Sequence, residues 1–129
     1  MTAGRIWSTE IPFDVRSVSV TRRDVRKVLA DWGYGHAIDD VTLIISELVS
    51  NAVAHGAPAI SLTLQVSGHI LLGEVVDHGL DLPHLVNADD VAEHGRGLAM
   101  VRMMTCSLGW SRTPDGAKSV WFGYRLFEA

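Results

Sequence analysis

The chain has 129 residues with 11 basic and 15 acidic side chains, and 47% of its residues are hydrophobic. This composition predicts one compact domain over residues 1–129, with a core of its own, and argues against a fibre, a repeat array or a disordered tail. The formal net charge of −4 argues against a surface built to bind nucleic acid by neutralising phosphates.

The cysteine content and the hydropathy pattern bear on where the protein works. A single cysteine, Cys106, cannot form an internal disulfide, which favours a reducing compartment. The N-terminus carries no apolar stretch of signal-peptide length, and the longest apolar runs are too short to cross a bilayer. We therefore expect a cytoplasmic protein without a membrane span.

The N-terminal half of the sequence predicts a strand followed by two helices. Residues 5–10 are typical of a short strand, and apolar positions at helical spacing predict a helix over residues 17–32, ended by Gly33. The clearest helix covers residues 39–55, where apolar side chains recur at i, i+3, i+4 and i+7. We expect Asp39 or Asp40 to cap its first N–H groups.

The segments that follow predict two strands and a lid. Residues 60–66 alternate between apolar and polar side chains, as in a half-buried strand, whereas residues 69–77 are apolar on both faces and indicate an inner strand. Residues 79–97 break both patterns and are interpreted as a loop or lid with room for one short helix.

The C-terminal part predicts one more helix and two strands. A helix is expected over residues 98–104, opened by the segment Gly95-Arg96-Gly97, followed by strands over residues 106–111 and 118–126. Cys106 is interpreted as a small core residue of the first of these strands. The whole order predicts a two-layer α/β sandwich, with a mostly antiparallel sheet of about five strands and helices on one face.

One polar ridge on the best helix is a candidate site. Glu47, Asn51 and His55 stand at i, i+4 and i+8, so they share one side of the helix beside its apolar face. Glu47 offers a carboxylate able to deprotonate a hydroxyl, and Asn51 offers an amide oxygen suited to Mg²⁺. The alternative is a solvated stripe in which His55 is an ordinary helix-end histidine.

Two further segments carry residues suited to binding a ligand. Asp77 ends an apolar strand next to flexible backbone at Gly79, where a carboxylate can accept a hydrogen bond from an amine, although a turn-initiating aspartate is the alternative. Gly95-Arg96-Gly97 places a cation at an expected helix N-terminus, which favours phosphate. The alternative is a loop that needs unusual backbone angles.

Two other patterns are set aside. The segment Gly116-Ala117-Lys118-Ser119 is similar to the end of a phosphate-binding P-loop, but it leads into a strand and is better interpreted as a hairpin turn. The six histidines lack the spacing and the supporting cysteines of a zinc site, so we do not expect zinc.

Taken together, three segments in this order resemble the N, G1 and G2 boxes of the Bergerat-fold ATPases. This superfamily includes the ATP-binding domains of gyrase, heat-shock chaperones, histidine kinases and MutL. Within it, the chain most resembles the small bacterial anti-sigma-factor serine/threonine kinases and related stand-alone ATP-binding regulatory proteins. The segments are residues 45–56 (ISELVSNAVAHG), 76–79 (VDHG) and 95–101 (GRGLAMV).

The resemblance implies ATP and Mg²⁺ as ligands and a histidine-kinase-like ATP-binding domain as the fold. By it, Glu47 is the general base, Asn51 holds Mg²⁺ and Asp77 receives the adenine amino group. Arg96 is our own addition as a catalytic residue that stabilises charge on the transferred group. The residues implied to contact the nucleotide are Asn51, His55, Asp77, Gly79, Gly95, Arg96, Gly97 and Leu98.

The chain departs from the family pattern at one position of the G1 box. The family's second glycine is replaced by Asp81, whose negative charge is expected to reduce lid mobility or to repel phosphate. The 129 residues leave no room for the helical hairpin that carries a phospho-accepting histidine, so a histidine kinase is disfavoured.

The leading hypothesis is therefore a cytoplasmic serine/threonine kinase that phosphorylates an anti-sigma-factor antagonist and regulates a sigma factor. One rival is a nucleotide-sensing module that transfers no phosphate, and another is a structural α/β domain with coincidental boxes. The resemblance also implies a possible homodimer, for which apolar residues of the first helix such as Val18 and Trp32 are candidates. Direct contact with nucleic acid or membrane is not expected.

Overall fold

The computed structural model describes residues 4–80 and 93–127, and for residues 93–96 it describes the backbone alone. The strands and helices of these ranges follow one another in an order close to the predicted one. They are β1 (Ile6–Ile11), α1 (Ser17–Asp31), a 3-10 turn (Gly35–Ala37), α2 (Ile38–His55), β2 (Ile60–Ser67), β3 (Ile70–Asp77), α3 (Glu93–Met104), β4 (Ser107–Arg112) and β5 (Lys118–Arg125).

The strands form one open sheet in the order β1-β2-β3-β5-β4, and every neighbouring pair is antiparallel. β3 lies at the centre between β2 and β5, as expected of an inner strand, but only one of its faces is well buried, and Leu72 on the other face is 42% exposed. Alternate residues of β2 and β3, such as Leu62, Leu64, Leu71 and Val75, are buried on the side that the helices cover.

The helices of the described residues cover one face of this sheet, as the sequence predicts for a two-layer sandwich. α2 contacts both α1 and α3 and lies over β3. Its apolar stripe is fully buried at Val41, Ile44, Ile45 and Val49. The apolar residues that recur at helical spacing in the sequence are therefore the residues that the fold buries. The fold matches the Bergerat ATP-binding fold.

The expected cap of α2 is wrong. The helix begins at Ile38, its N-cap is Ala37, and no side chain caps it, so Asp39 and Asp40 lie in the first turn. Carboxylates in the first turn still stabilise the helix through its dipole. Asp40 also accepts a hydrogen bond of 2.7 Å from the Tyr124 hydroxyl of β5, which ties this helix end to the sheet.

The expected start of α3 is also wrong. The helix begins at Glu93, so Gly95-Arg96-Gly97 lie inside its first turns and do not precede it. Sequence alone favours a later start because glycine disfavours a helix interior by about 1 kcal/mol. Residues 81–92, which hold Asp81 and most of the expected lid, lie outside the described residues.

Two expectations about single side chains need correction. Cys106 is exposed and lies just before β4, where its thiol donates a hydrogen bond of 3.3 Å to the carbonyl of Gly123, so it is not a core residue. Val18 and Trp32 of the α1 region are partly buried against the core, so neither is a freely exposed apolar residue.

Among the described residues, no helix combines the length and apolar character needed to span a membrane.

Candidate functional site

The polar ridge of α2 lies at the margin of the core. Glu47 and Asn51 are half-buried and His55 is exposed, while the adjacent face with Leu48 and Ala52 is almost completely buried. The apolar face therefore fixes which way the ridge points. Half-burial distinguishes Glu47 and Asn51 from a stripe that is simply solvated.

The carboxylate of Glu47 packs directly against Gly97 of α3. A Cβ atom added at Gly97 would collide with Oε2 of Glu47 and would lie 2.9 Å from its Cδ atom. The glycine leaves room for this approach, which accounts for a residue of low helix propensity in the second turn of α3. The structure thus brings the predicted general base together with the predicted G2 box.

Asp77, the last residue of β3, is buried in a cradle of backbone. Its Oδ1 atom accepts a hydrogen bond of 2.6 Å from the Gly79 amide. A Cβ atom at Gly56 would lie 2.6 Å from Cγ of Asp77, and one at Gly79 would lie 2.9 Å from Oδ1 and 2.8 Å from Cα of Gly56. The G1 box therefore closes on the end of α2 at points where any side chain would interfere.

A buried cation holds the other oxygen of Asp77. Lys118, the first residue of β5, lies directly opposite Asp77 in the antiparallel register, and its Nζ atom lies 3.4 Å from Oδ2. The side chains of Lys118 and Asp77 are only 7% and 2% exposed. Sequence reasoning missed this contact, although a lysine that opens an otherwise buried strand was a signal for it.

Two further contacts fix the backbone on either side of Asp77, and sequence reasoning missed these as well. Arg112, at the end of β4, donates from Nη1 to the carbonyl of Gly79 at 2.7 Å. The His78 amide donates to the carbonyl of Ala57 at 2.9 Å, and the His78 ring nitrogen Nδ1 lies 3.0 Å from the carbonyl of Ala59. The segment after β3 is thus attached to both β4 and the α2–β2 connection.

The other residues predicted to contact the nucleotide differ in how far the structure describes their surroundings. Leu98 is 2% exposed and its side chain belongs to the core, so any contact with a nucleotide there would come from its backbone. Gly95 and Arg96 lie in α3, and the structure describes only their backbone. Their roles, and those of Asn51 and His55, stay predictions.

The donor set fits a magnesium nucleotide. Mg²⁺ usually takes one or two protein oxygens and otherwise binds phosphates and water, so the amide oxygen of the half-buried Asn51, one turn along α2 from Glu47, is a suitable ligand. The cradle around Asp77 offers a carboxylate acceptor enclosed by backbone at Gly56 and Gly79. Within residues 4–80 and 93–127 no three His, Cys, Asp or Glu residues cluster as a metal site.

Comparison with known families agrees with this fold. Residues 11–122 match the model of the histidine kinase-like ATPase domain. This match covers most of the chain, and the chain therefore belongs to that family of ATP-binding domains. No curated protein sequence matches the chain.

Solved structures with the same fold include two histidine kinases. The histidine kinase domain of the blue-light activated histidine kinase EL346 from Erythrobacter litoralis aligns with a TM-score of 0.57 and 14% identity over 87% of this chain. The histidine kinase AdeS from Acinetobacter baumannii aligns with a TM-score of 0.53 and 16% identity over 96% of this chain. The alignments cover 60% and 70% of those two chains, and at this identity they support the fold alone.

Proposed function

We propose that the chain is an ATP-dependent serine/threonine protein kinase of the anti-sigma-factor type. It would phosphorylate an anti-sigma-factor antagonist and thereby regulate a sigma factor, working in the cytoplasm. The observation that carries the proposal is the contact between Glu47 and Gly97, because it places a half-buried carboxylate beside the box expected to face the phosphates.

The proposed reaction needs a base for an alcohol of ordinary reactivity. The hydroxyl oxygen of a partner serine or threonine attacks the γ-phosphorus of ATP, and its proton passes to the carboxylate of Glu47. The bond between the γ-phosphorus and the bridging oxygen breaks, and ADP leaves with that electron pair. This assignment requires an ionised Glu47 that contacts protein on one side and the partner hydroxyl on the other.

The other residues of the site would bind and orient the nucleotide. Asn51 would hold Mg²⁺, which when bound supplies charge neutralisation for the phosphates. Asp77 would accept a hydrogen bond from the adenine amino group, and the cradle of Gly56 and Gly79 supports this role because it fixes the carboxylate. Phosphoryl transfer depends mostly on such positioning and electrostatics.

A phosphotransfer assay with γ-labelled ATP tests the proposal. The purified protein is incubated with proteins extracted from its source organism, and labelled products are treated with acid, because serine and threonine phosphoesters survive it whereas phosphohistidine does not. We expect acid-stable label that Glu47→Ala abolishes while ATP binding persists. The matched control is Glu10→Ala, an exposed glutamate of β1, which should retain transfer.

Three outcomes would contradict parts of the proposal. Equal transfer by Glu47→Ala would remove the base assignment. ATP binding without any transfer would favour the rival nucleotide-sensing module. Acid-labile label alone would indicate histidine phosphorylation and would overturn the serine/threonine assignment.

A homodimer is also part of the proposal. The partly buried Val18 and Trp32 do not support a dimer face at those positions, but exposed apolar side chains nearby, Val15 and Val20, are available on α1 and its approach. A light-scattering mass of 14.1 kDa at micromolar protein would contradict dimerisation.

A further inference from the structure

The ion pair of Lys118 and Asp77 differs from the other ion pairs of the described residues. Arg16–Asp14 and Arg26–Asp39 are surface pairs with at least one side chain largely in water, whereas both partners of Lys118–Asp77 are almost fully buried. Taking two charges out of water is costly, and an apolar pair of similar volume often stabilises a fold equally well or better. Stability is therefore a weak explanation for this pair.

The geometry of the pair restricts the Asp77 carboxylate to one orientation. Oδ1 accepts the Gly79 amide at 2.6 Å, Oδ2 lies 3.4 Å from Nζ of Lys118, and the backbone of Gly56 packs against the carboxylate carbon. Rotation of the carboxylate would break one or both polar contacts. The lone pairs that remain are consequently presented in fixed directions.

We infer that Lys118 is a positioning residue that sets the base specificity of the nucleotide site. By holding the Asp77 carboxylate in one orientation, it makes the site prefer a purine with a 6-amino group over one with a 6-oxo group. The inference rests on the proposed function, in which Asp77 receives the adenine amino group.

The preference follows from hydrogen-bond chemistry. An ionised carboxylate can only accept hydrogen bonds, so it matches the 6-amino group of ATP and opposes the 6-oxo group of ITP, which is also an acceptor. Without the ion pair to Lys118, the Oδ2 atom is held less firmly, so the carboxylate can rotate away from the adenine amino group. A rotated carboxylate contacts neither base well, so the preference for a 6-amino group is lost.

The test measures dissociation constants of three triphosphates at one neutral pH, for the wild type and for Lys118→Met. The probes are ATP, ITP and purine riboside triphosphate, which lacks any group at position 6. We expect the wild type to prefer ATP to ITP by about tenfold or more, as in sites built to pair a polar group. In Lys118→Met this ratio should fall to within about twofold of unity, with purine riboside triphosphate little affected.

Two further variants separate this role from a general effect of the substitution. Arg125→Met removes an exposed cation from the other end of β5 and should keep the wild-type preference. Lys118→Gln retains an N–H donor without the charge. Should Lys118→Met fail to fold by circular dichroism, Lys118→Gln carries the test, and its ATP-to-ITP ratio should also fall.

The outcomes distinguish this inference from the proposed function. Equal weakening of all three nucleotides by the Lys118 variants would mean a purely structural role and would overturn the inference. An unchanged ATP-to-ITP ratio in a folded variant would overturn it as well, while leaving ATP binding intact. Absence of saturable ATP binding by the wild type would overturn the proposed function and this inference together.

Discussion

The carboxylate of Glu47 on α2 lies so close to Gly97 of α3 that any side chain at position 97 would have to displace it. The contact joins two segments that are far apart in sequence and that are both expected to face the phosphates. It also makes the position of the proposed base dependent on how α3 packs.

Gly97→Ala should therefore affect the site more than the fold. The added methyl group displaces the flexible end of Glu47, while alanine favours the helix by about 1 kcal/mol, so stability should stay near wild type. Phosphotransfer should fall by up to about 100-fold, the effect expected when a reacting group shifts by about 1 Å. Urea unfolding and the labelled-ATP assay measure the two effects.

Gly35→Ala is the matched control for this substitution. A Cβ atom at Gly35 would meet nothing within 4 Å, so both stability and transfer should stay near wild type. Wild-type transfer in Gly97→Ala would show that the position of the Glu47 carboxylate has no effect on the reaction.

Arg112→Ala should weaken nucleotide binding without removing a predicted ligand. Arg112 donates to the Gly79 carbonyl at 2.7 Å and so restrains the backbone that completes the Asp77 cradle. Loss of a hydrogen bond of this strength costs about 1 kcal/mol, which corresponds to about a fivefold rise in the ATP Kd. Calorimetric titration measures it, with Arg102→Ala on the exposed side of α3 as the control. An unchanged Kd in Arg112→Ala would mean that the contact does not restrain the site.

The close contact between Gly73 and Phe122 predicts coupled effects on stability. A Cβ atom at Gly73 would collide with the Phe122 ring, which is 1% exposed. Gly73→Ala should cost about 1–3 kcal/mol by overpacking. Phe122→Leu creates space, so the double variant should be more stable than the sum of the single effects predicts. Simple additivity in urea unfolding would contradict this packing.

Tyr124 should titrate at unusually high pH. Burial, followed by the hydrogen bond to Asp40 and its negative charge, raises the Tyr124 pKa from 10.0 to about 12. Because the folded pKa exceeds the unfolded one, this group's contribution to stability is complete below pH 10 and is lost as pH rises through 12. An absorbance titration of tyrosinate in the wild type, minus that of Tyr124→Phe, should show the transition near pH 12. A difference titration centred near pH 10 would contradict the burial and the Asp40 contact.

The parts of the fold that sequence predicts well are those specified by local periodicity. α2 follows from an unbroken apolar stripe, and β3 follows from an apolar run, although burial alternates along that strand. The start of α3 could not be predicted in this way. Its glycine at position 97 is explained by contact with Glu47, which only the packing of two helices reveals.

The residues of the candidate site also fall into two groups: some can be recognised from local sequence motifs, and others only from contacts in the folded structure. Glu47, Asn51 and Asp77 could be proposed from the sequence because each lies in a motif with recognisable neighbours, and their roles stay predictions. Lys118 and Arg112 could not, since their contacts depend on strand register and on a turn that brings β4 and β5 to the end of β3. Cys106 was wrongly predicted to be a core residue of a strand. The alternation of apolar and polar residues begins at Cys106, whereas β4 begins at Ser107.

The most direct test of the account is calorimetric titration with ATP, with and without Mg²⁺, for the wild type and Asn51→Ala. The matched control is Gln65→Ala, which removes an exposed amide from β2. We predict saturable, Mg²⁺-dependent binding by the wild type and the control, and binding that is weaker and less dependent on Mg²⁺ in Asn51→Ala. Identical Mg²⁺-dependent binding by Asn51→Ala, or no binding by the wild type, would contradict the proposed nucleotide site.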